Sequence, residues 1–267
     1  MSIPKKLYKY ETVSVQSLLN LKSQVIYFAP PSGFNDPYDC AIKAQIQDPT
    51  DQELEELKKI YLEKEWPTHV MDKLSSTPLE KLKPMLMSAA REANNIVIDT
   101  FIENRGISCF SEVCDDLLMW GHYSGKHTGF CLEFNTEDEI FERARKVIYV
   151  DDMPKLNVLS VYGKGQRGDI LDLFCTKSKS WEYEKEWRCI HNEAGTAYTY
   201  SADALTAVYF GPKINPHMLE IICLILQGQN SNIRFWEGKR SEHTFKVEFK
   251  EFFYTPYLRA KQLELRT

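Results

Sequence analysis

The densest chemistry in this 267-residue chain lies in one run, Trp181-Glu182-Tyr183-Glu184-Lys185-Glu186-Trp187-Arg188. Glu182, Glu184 and Glu186 alternate with aromatic and basic residues. In an extended backbone that alternation puts three carboxylates on one face. Like charges that close raise the pKa of at least one carboxyl unless cations answer them. Lys177, Lys179 and Arg188 are near enough in sequence to answer. A carboxylate so placed serves as a general base or stabilises a developing cation. The plainer alternative is a solvated edge strand with alternating charge.

Three further segments hold polar groups that a core does not need. In Tyr8-Lys9-Tyr10, alternation puts both phenol rings on one face, either flanking a planar ligand or half buried at a sheet edge. In Phe34-Asn35-Asp36-Pro37, Asn35 and Asp36 either bond their own backbone in a turn or face a ligand hydroxyl. Met119-Trp120-Gly121-His122-Tyr123-Ser124-Gly125-Lys126-His127-Thr128-Gly129 gathers two histidines, two hydroxyl residues and three glycines. It is either a compact helix-to-strand turn or a loop whose backbone approaches a ligand. Neither a phosphate-loop pattern nor a serine-nucleophile elbow is present.

The surrounding elements must position these groups. Strands are expected at residues 7–10, 24–28, 106–111, 129–134, 147–150, 186–191, 206–210 and 245–253. Ser14 caps a helix running to Leu21, and Asn215 caps one running to Leu226. Residues 51–64 show helical spacing of Leu54, Leu57, Ile60 and Tyr61. Residues 77–103 form a longer helix opened by Thr77-Pro78, with Pro84 expected to kink or split it. Asp115 and Asp116 open a short helix at their positive end, and residues 166–177 look helical. Strands at irregular spacing beside clumped helices imply an α+β fold, one domain over 1–267. Its core is a mixed, mainly antiparallel sheet, with a helical insertion at about 50–104.

Composition narrows the function classes. Hydrophobic residues are 43% and the net charge is −5, so the chain lacks the basic footprint of a duplex-binding protein. No apolar run reaches the roughly 20 residues of a membrane span, and no signal segment opens the chain. The seven cysteines are scattered without a C-x-x-C pair. They read as small buried residues of a reducing, cytoplasmic protein rather than zinc ligands, and no metal is expected.

Taken together, these segments resemble the DUF2971 family, bacterial proteins of unassigned function. The resemblance rests on Leu7-Tyr8-Lys9-Tyr10, Phe34-Asn35-Asp36-Pro37-Tyr38-Asp39, Cys109-Phe110-Ser111-Glu112, Met119-Trp120-Gly121-His122-Tyr123, Thr176-Lys177-Ser178 and the run Trp181–Arg188, in that order between about residues 7 and 215. The layout is also similar to ADP-ribosyltransferase-like proteins. Tyr8-Lys9-Tyr10 falls at their first-strand position, Phe110-Ser111 at their serine-ended strand and Glu184-Lys185-Glu186 at their E-x-E. That similarity implies NAD as a substrate and a role in toxicity or phage defence. It makes Glu186 the catalytic carboxylate, with Glu184 and His122 beside it. It gives Tyr8, Lys9, Tyr10, Asn35, Asp36, Ser111, Trp120, Tyr123, His127, Lys177, Trp181 and Arg188 as ligand-binding candidates. A ligand-binding or sensor module, and a metal-assisted hydrolase or nuclease, remain the alternatives. The implied partner is a small molecule or nucleotide.

Overall fold

The computed structural model describes residues 2–40, 45–159 and 168–264. It is α+β, with a mixed, mainly antiparallel sheet. In chain order the strands are β1 (Lys6–Glu11), β2 (Val25–Phe28), β3 (Gln45–Ile46), β4 (Gly106–Ser111), β5 (Phe130–Asn135), β6 (Arg145–Lys146), β7 (Ile148–Val150), β8 (Lys155–Leu156), β9 (Thr176–Ser178), β10 (Glu186–His191), β11 (Thr196–Thr199), β12 (Leu205–Phe210), β13 (Arg234–Arg240) and β14 (Val247–Phe252). The helices are α1 (Val15–Ser23), α2 (Asp51–Leu62), α3 (Thr68–Ser76), α4 (Leu79–Asn104), α5 (Leu117–Tyr123), α6 (Gly168–Leu173), α7 (Pro216–Gln227) and α8 (Tyr257–Gln262).

The chain forms two compact units. The first comprises Met1–Ala29, Gly106–Lys146 and Ser180–Thr267, and the second Pro30–Arg105 and Val147–Lys179. The first unit is built on an eight-stranded sheet in the order β14-β13-β12-β5-β1-β4-β10-β6. Within it β12 and β13 run parallel and the other pairs antiparallel. Strand alternation gives the sheet two buried faces. One packs Leu7, Phe110, Phe130, Leu132, Phe134, Trp187 and Val208 with Leu21 of α1 and Ile222, Cys223 and Leu226 of α7. The other packs Tyr10, Cys131, Ala207 and Tyr209 with Met119 and Trp120 of α5.

Local signals account for the helix starts. Ser14 and Ser17 form a reciprocal capping box at α1. Asp116 accepts from the Leu118 and Met119 amides at α5, and Asn215 from His217 at α7. In the second unit α2, α3 and α4 bury Leu54, Leu57, Ile60, Leu74, Leu82, Leu86, Met87 and Ala90 as one cluster.

The structure differs from the expected elements in four places. Pro84 does not split its helix, and α4 runs unbroken for 26 residues. Part of the expected helix 166–177 lies outside the described residues. Within them it ends at Leu173, and Thr176–Ser178 instead pairs with Ile148–Val150. Strands β3, β6, β8, β11 and β13 and helices α3 and α8 had no sequence signal strong enough to place them. The run 181–184 is not extended: Lys179–Glu184 forms a 3-10 turn.

Candidate functional site

The site begins with register. Tyr8 on β1 stands opposite Ser111 on β4 and Glu133 on β5, and Ser111 stands opposite Glu186 on β10. Directly paired residues project to the same side of a sheet. Glu133, Tyr8, Ser111 and Glu186 therefore form a polar row across four adjacent strands, on the face that α5 covers. Arg188, two residues along β10, shares that face.

Glu133 anchors one end. Its side chain is 1% exposed and collects five donors. Oε1 accepts from Lys6 Nζ at 2.8 Å, Thr206 Oγ1 at 2.7 Å and Arg234 Nη2 at 3.2 Å. Oε2 accepts from Tyr209 Oη at 2.7 Å and Tyr8 Oη at 3.2 Å. Burial pushes its carboxyl up, but the bonds from Lys6, Thr206 and Tyr209 outweigh burial and hold it below the ordinary range. Burial and this neighbouring carboxylate together push the Tyr8 and Tyr209 phenols upward.

Glu186 anchors the other end. It pairs with Arg188 through two bonds, Nε to Oε1 at 2.7 Å and Nη2 to Oε2 at 3.0 Å. Side-chain exposures of 0% for Arg188 and 5% for Glu186 make this a buried, bidentate ion pair. Glu112, just past β4, accepts from Lys146 Nζ at 2.7 Å and Trp187 Nε1 at 2.8 Å. Burial raises its carboxyl, and these two bonds bring it below the ordinary range.

Glu184 reaches the same neighbourhood by a turn instead of by alternation. Lys185 takes a left-handed φ of 44°, so the chain reverses between the 3-10 turn and β10. Glu184 is 2% exposed and accepts from Tyr123 Oη at 2.5 Å. Its backbone carbonyl accepts from Ser111 Oγ at 2.6 Å. These two bonds tie the turn to α5 and β4. Beside them His122, Trp181 and Tyr183 lie with ring centroids 6.0–6.4 Å apart.

The remaining sequence candidates separate into groups. Tyr10 and Trp120 are packed into the cover of the sheet, donating to the carbonyls of Val113 and Cys114 at 2.9 and 2.7 Å. Lys9 lies on the opposite face, 3.7 Å from Glu11 and over the Phe110 ring. His127 sits in a tight turn with φ 73°, and burial lowers its pKa, with Lys213 and Arg240 adding to the effect. Gly129 serves backbone packing: an added Cβ would lie 2.1 Å from the Glu11 carbonyl. Asn35, Asp36 and Lys177 belong to the second unit. There Asp36 accepts from the Tyr38 amide at 2.9 Å, and Lys177 forms a buried ion pair with Asp39 at 3.2 Å.

Sequence reasoning missed Glu133 with its partners Lys6, Thr206, Tyr209 and Arg234. The available signal was a carboxylate inside the apolar run Phe130-Cys131-Leu132-Glu133-Phe134. A charge there demands partners.

Among the described residues no group of three or more His, Cys, Asp or Glu side chains is arranged to hold a metal ion. None of their helices is long and apolar enough to cross a membrane. None of the seven cysteines is in a disulfide, and five of them are buried.

Fold and site define an α+β protein with buried, hydrogen-bonded carboxylates along one face of a sheet. The model of the family described as "Protein of unknown function (DUF2971)" matches residues 119–189. That stretch runs from α5 to β10, so it holds Tyr123, Glu184, Glu186 and Arg188 but neither Tyr8 nor Ser111. The DUF2971 resemblance read from the sequence is thus a match over these residues. None of the curated proteins and none of the solved structures compared with the chain matches it.

Proposed function

We propose that the protein acts on NAD, cleaving the nicotinamide–ribose bond and passing ADP-ribose to an acceptor. The C–N bond breaks with its electron pair leaving on nicotinamide, the acceptor's nucleophile then bonds to the ribose carbon, and the proton it loses passes to a carboxylate acting as base and on to water. The observation that carries the reading is the register Glu186–Ser111–Tyr8. It aligns on one sheet face the three residue types that the transferase-like layout requires. As the positive charge of an oxocarbenium develops, an ionised carboxylate fixed in a preorganised site stabilises it without reorganising. The bidentate bond from Arg188 fixes Glu186 in that way. Glu184 is the second acid, suited to holding a ribose hydroxyl.

One observation favours a second reading. Glu184 and Glu186 are 2% and 4% exposed and already hydrogen-bonded. Carboxylates so engaged suit a rigid ligand-binding or sensor module that performs no chemistry.

Nicotinamide release from NAD, with cell extract as the source of acceptor, separates the two. The transferase reading expects release that Glu186→Gln and Glu184→Gln each abolish while circular dichroism stays native. No release and no thermal shift with NAD sinks it. A thermal shift without release selects the binding module.

A further inference from the structure

On its other face β1 turns Leu7, Lys9 and Glu11 toward the layer that α1 covers, in register with Phe134, Leu132 and Phe130 of β5. Two charges thus enter an apolar layer. Their side chains are 18% and 25% exposed and 3.7 Å apart. Beside them lies a cavity within the first unit. Its polar wall is Lys9, Glu11, Asn20 and Tyr200, and its apolar wall includes Leu21 and Leu132. The space open to the centre of a water-sized molecule is about 10 Å³. That is room for roughly one water.

One group in this wall is unsatisfied. Tyr200 is 4% exposed, and its hydroxyl has no hydrogen-bond partner among the described residues. The ring is held in place. The Tyr200 amide donates to the Gln24 carbonyl at 3.0 Å, and the ring stands edge-on to Phe134 at 5.1 Å. Native proteins leave few buried hydroxyls unpaired, because an unmade bond costs the whole desolvation of the group. Glu11 is the charge that reaches Tyr200: burial first, and then this carboxylate, push the phenol upward. Burial also raises the Glu11 carboxyl, and Lys9 offsets only part of the rise.

We infer that the cavity is a binding site for one internal water molecule, which accepts from Tyr200 and donates to Glu11. The wall selects that ligand. Lys9 disfavours a cation and Glu11 an anion. An apolar guest leaves the Tyr200 hydroxyl unpaired. A neutral molecule that both donates and accepts satisfies the wall, and the space limits it to the size of water. Internal waters make about three bonds, and Lys9 or Asn20 supplies the third. Asn20 Oδ1 already accepts from Gln16, so its N–H groups are the ones to offer. The water ties the segment after β11 to β1, the strand whose opposite face carries Tyr8. This site goes beyond the transferase reading and does not depend on it.

The test is a high-resolution crystal structure of the full chain together with oxygen-17 relaxation dispersion in solution. The expected density is one water about 2.5–3.0 Å from Tyr200 Oη and from a Glu11 carboxylate oxygen. In Tyr200→Phe, which keeps the ring, that density disappears and the dispersion amplitude falls by about one long-lived water. Should Tyr200→Phe misfold, the wild-type density decides alone. A dry cavity, a direct bond from Tyr200 to Glu11, or an anomalous peak at the site in crystals soaked in bromide overturns the inference. So does a dispersion amplitude unchanged in folded Tyr200→Phe. Nicotinamide release is scored separately, so a water found without release leaves this site standing and refutes only the transferase.

Discussion

Glu133→Ala removes the acceptor shared by Lys6, Tyr8, Thr206, Tyr209 and Arg234. Lys6 and Arg234 are 47% and 44% exposed, so they turn to water at little cost. Tyr209, 8% exposed, and the part-buried Thr206 cannot do so freely. Each donor left unsatisfied costs about 1–3 kcal/mol, and the vacated volume adds to that. The expected loss is about 3–5 kcal/mol, or on the order of 10 °C in Tm for a chain of this size. Glu133→Gln keeps the shape and one acceptor oxygen, so its loss is about 1–2 kcal/mol. The two variants also differ from wild type in acid. The Glu133 carboxyl is held below its ordinary value of 4.5, so the folded state prefers the ionised form. Its stabilisation is present in full above that value and disappears as the pH falls through the lower folded-state value. Wild-type stability should therefore fall more steeply below pH 4.5 than that of Glu133→Gln. Urea unfolding followed by near-UV circular dichroism at pH 7, 5, 4 and 3 reads both effects. A loss under about 1 kcal/mol for Glu133→Ala at pH 7, or parallel acid profiles, refutes the account of this hub.

Three further outcomes follow from the same geometry. Gly129→Ala pushes a Cβ to 2.1 Å from the Glu11 carbonyl and 2.8 Å from the Ser124 carbonyl. Backbone cannot yield as a side-chain tip does, so a loss of at least about 3 kcal/mol is expected in urea titrations. Glu186→Gln removes the opposite charge from beside the fully buried Arg188 guanidinium and should cost about 3–5 kcal/mol, whereas the double variant Glu186→Gln/Arg188→Met recovers much of that, as a double-mutant cycle will register. The Cys114 thiol is pushed up to about 12 by burial, with Asp115 and Glu133 adding to the rise. Its reaction with a thiol-disulfide reagent at pH 8 should be at least a hundredfold slower in the native protein than in urea.

Much of the local structure was legible in the residues. Gly106–Ser111 and Glu186–His191 are strands with the limits their apolar content suggested, and Ser14, Asp116 and Asn215 cap the helices they precede. The failures have a common cause. Arg234–Arg240 contains four charges and a glycine and is a strand because it lies parallel to β12. The alternation of Glu182, Glu184 and Glu186 suggested one carboxylate face. Tyr123 and Ser111 instead hold a turn there, and only Glu186 enters the strand.

The sequence by itself determined the α+β class, the caps of α1, α5 and α7, most strand limits and the family resemblance, because each depends on residues a few positions apart; the Thr77 cap expected with Pro78 in the first turn failed, since α4 begins at Leu79 with Pro78 at the cap position. Tertiary structure alone decided that Glu133, Tyr8, Ser111 and Glu186 form one row. Cross-strand register is set by how whole strands pack their apolar faces, so residues more than a hundred positions apart become neighbours without any local sign. The buried charges depend on that register too: Glu133 tolerates the interior because β1, β12 and β13 deliver its donors.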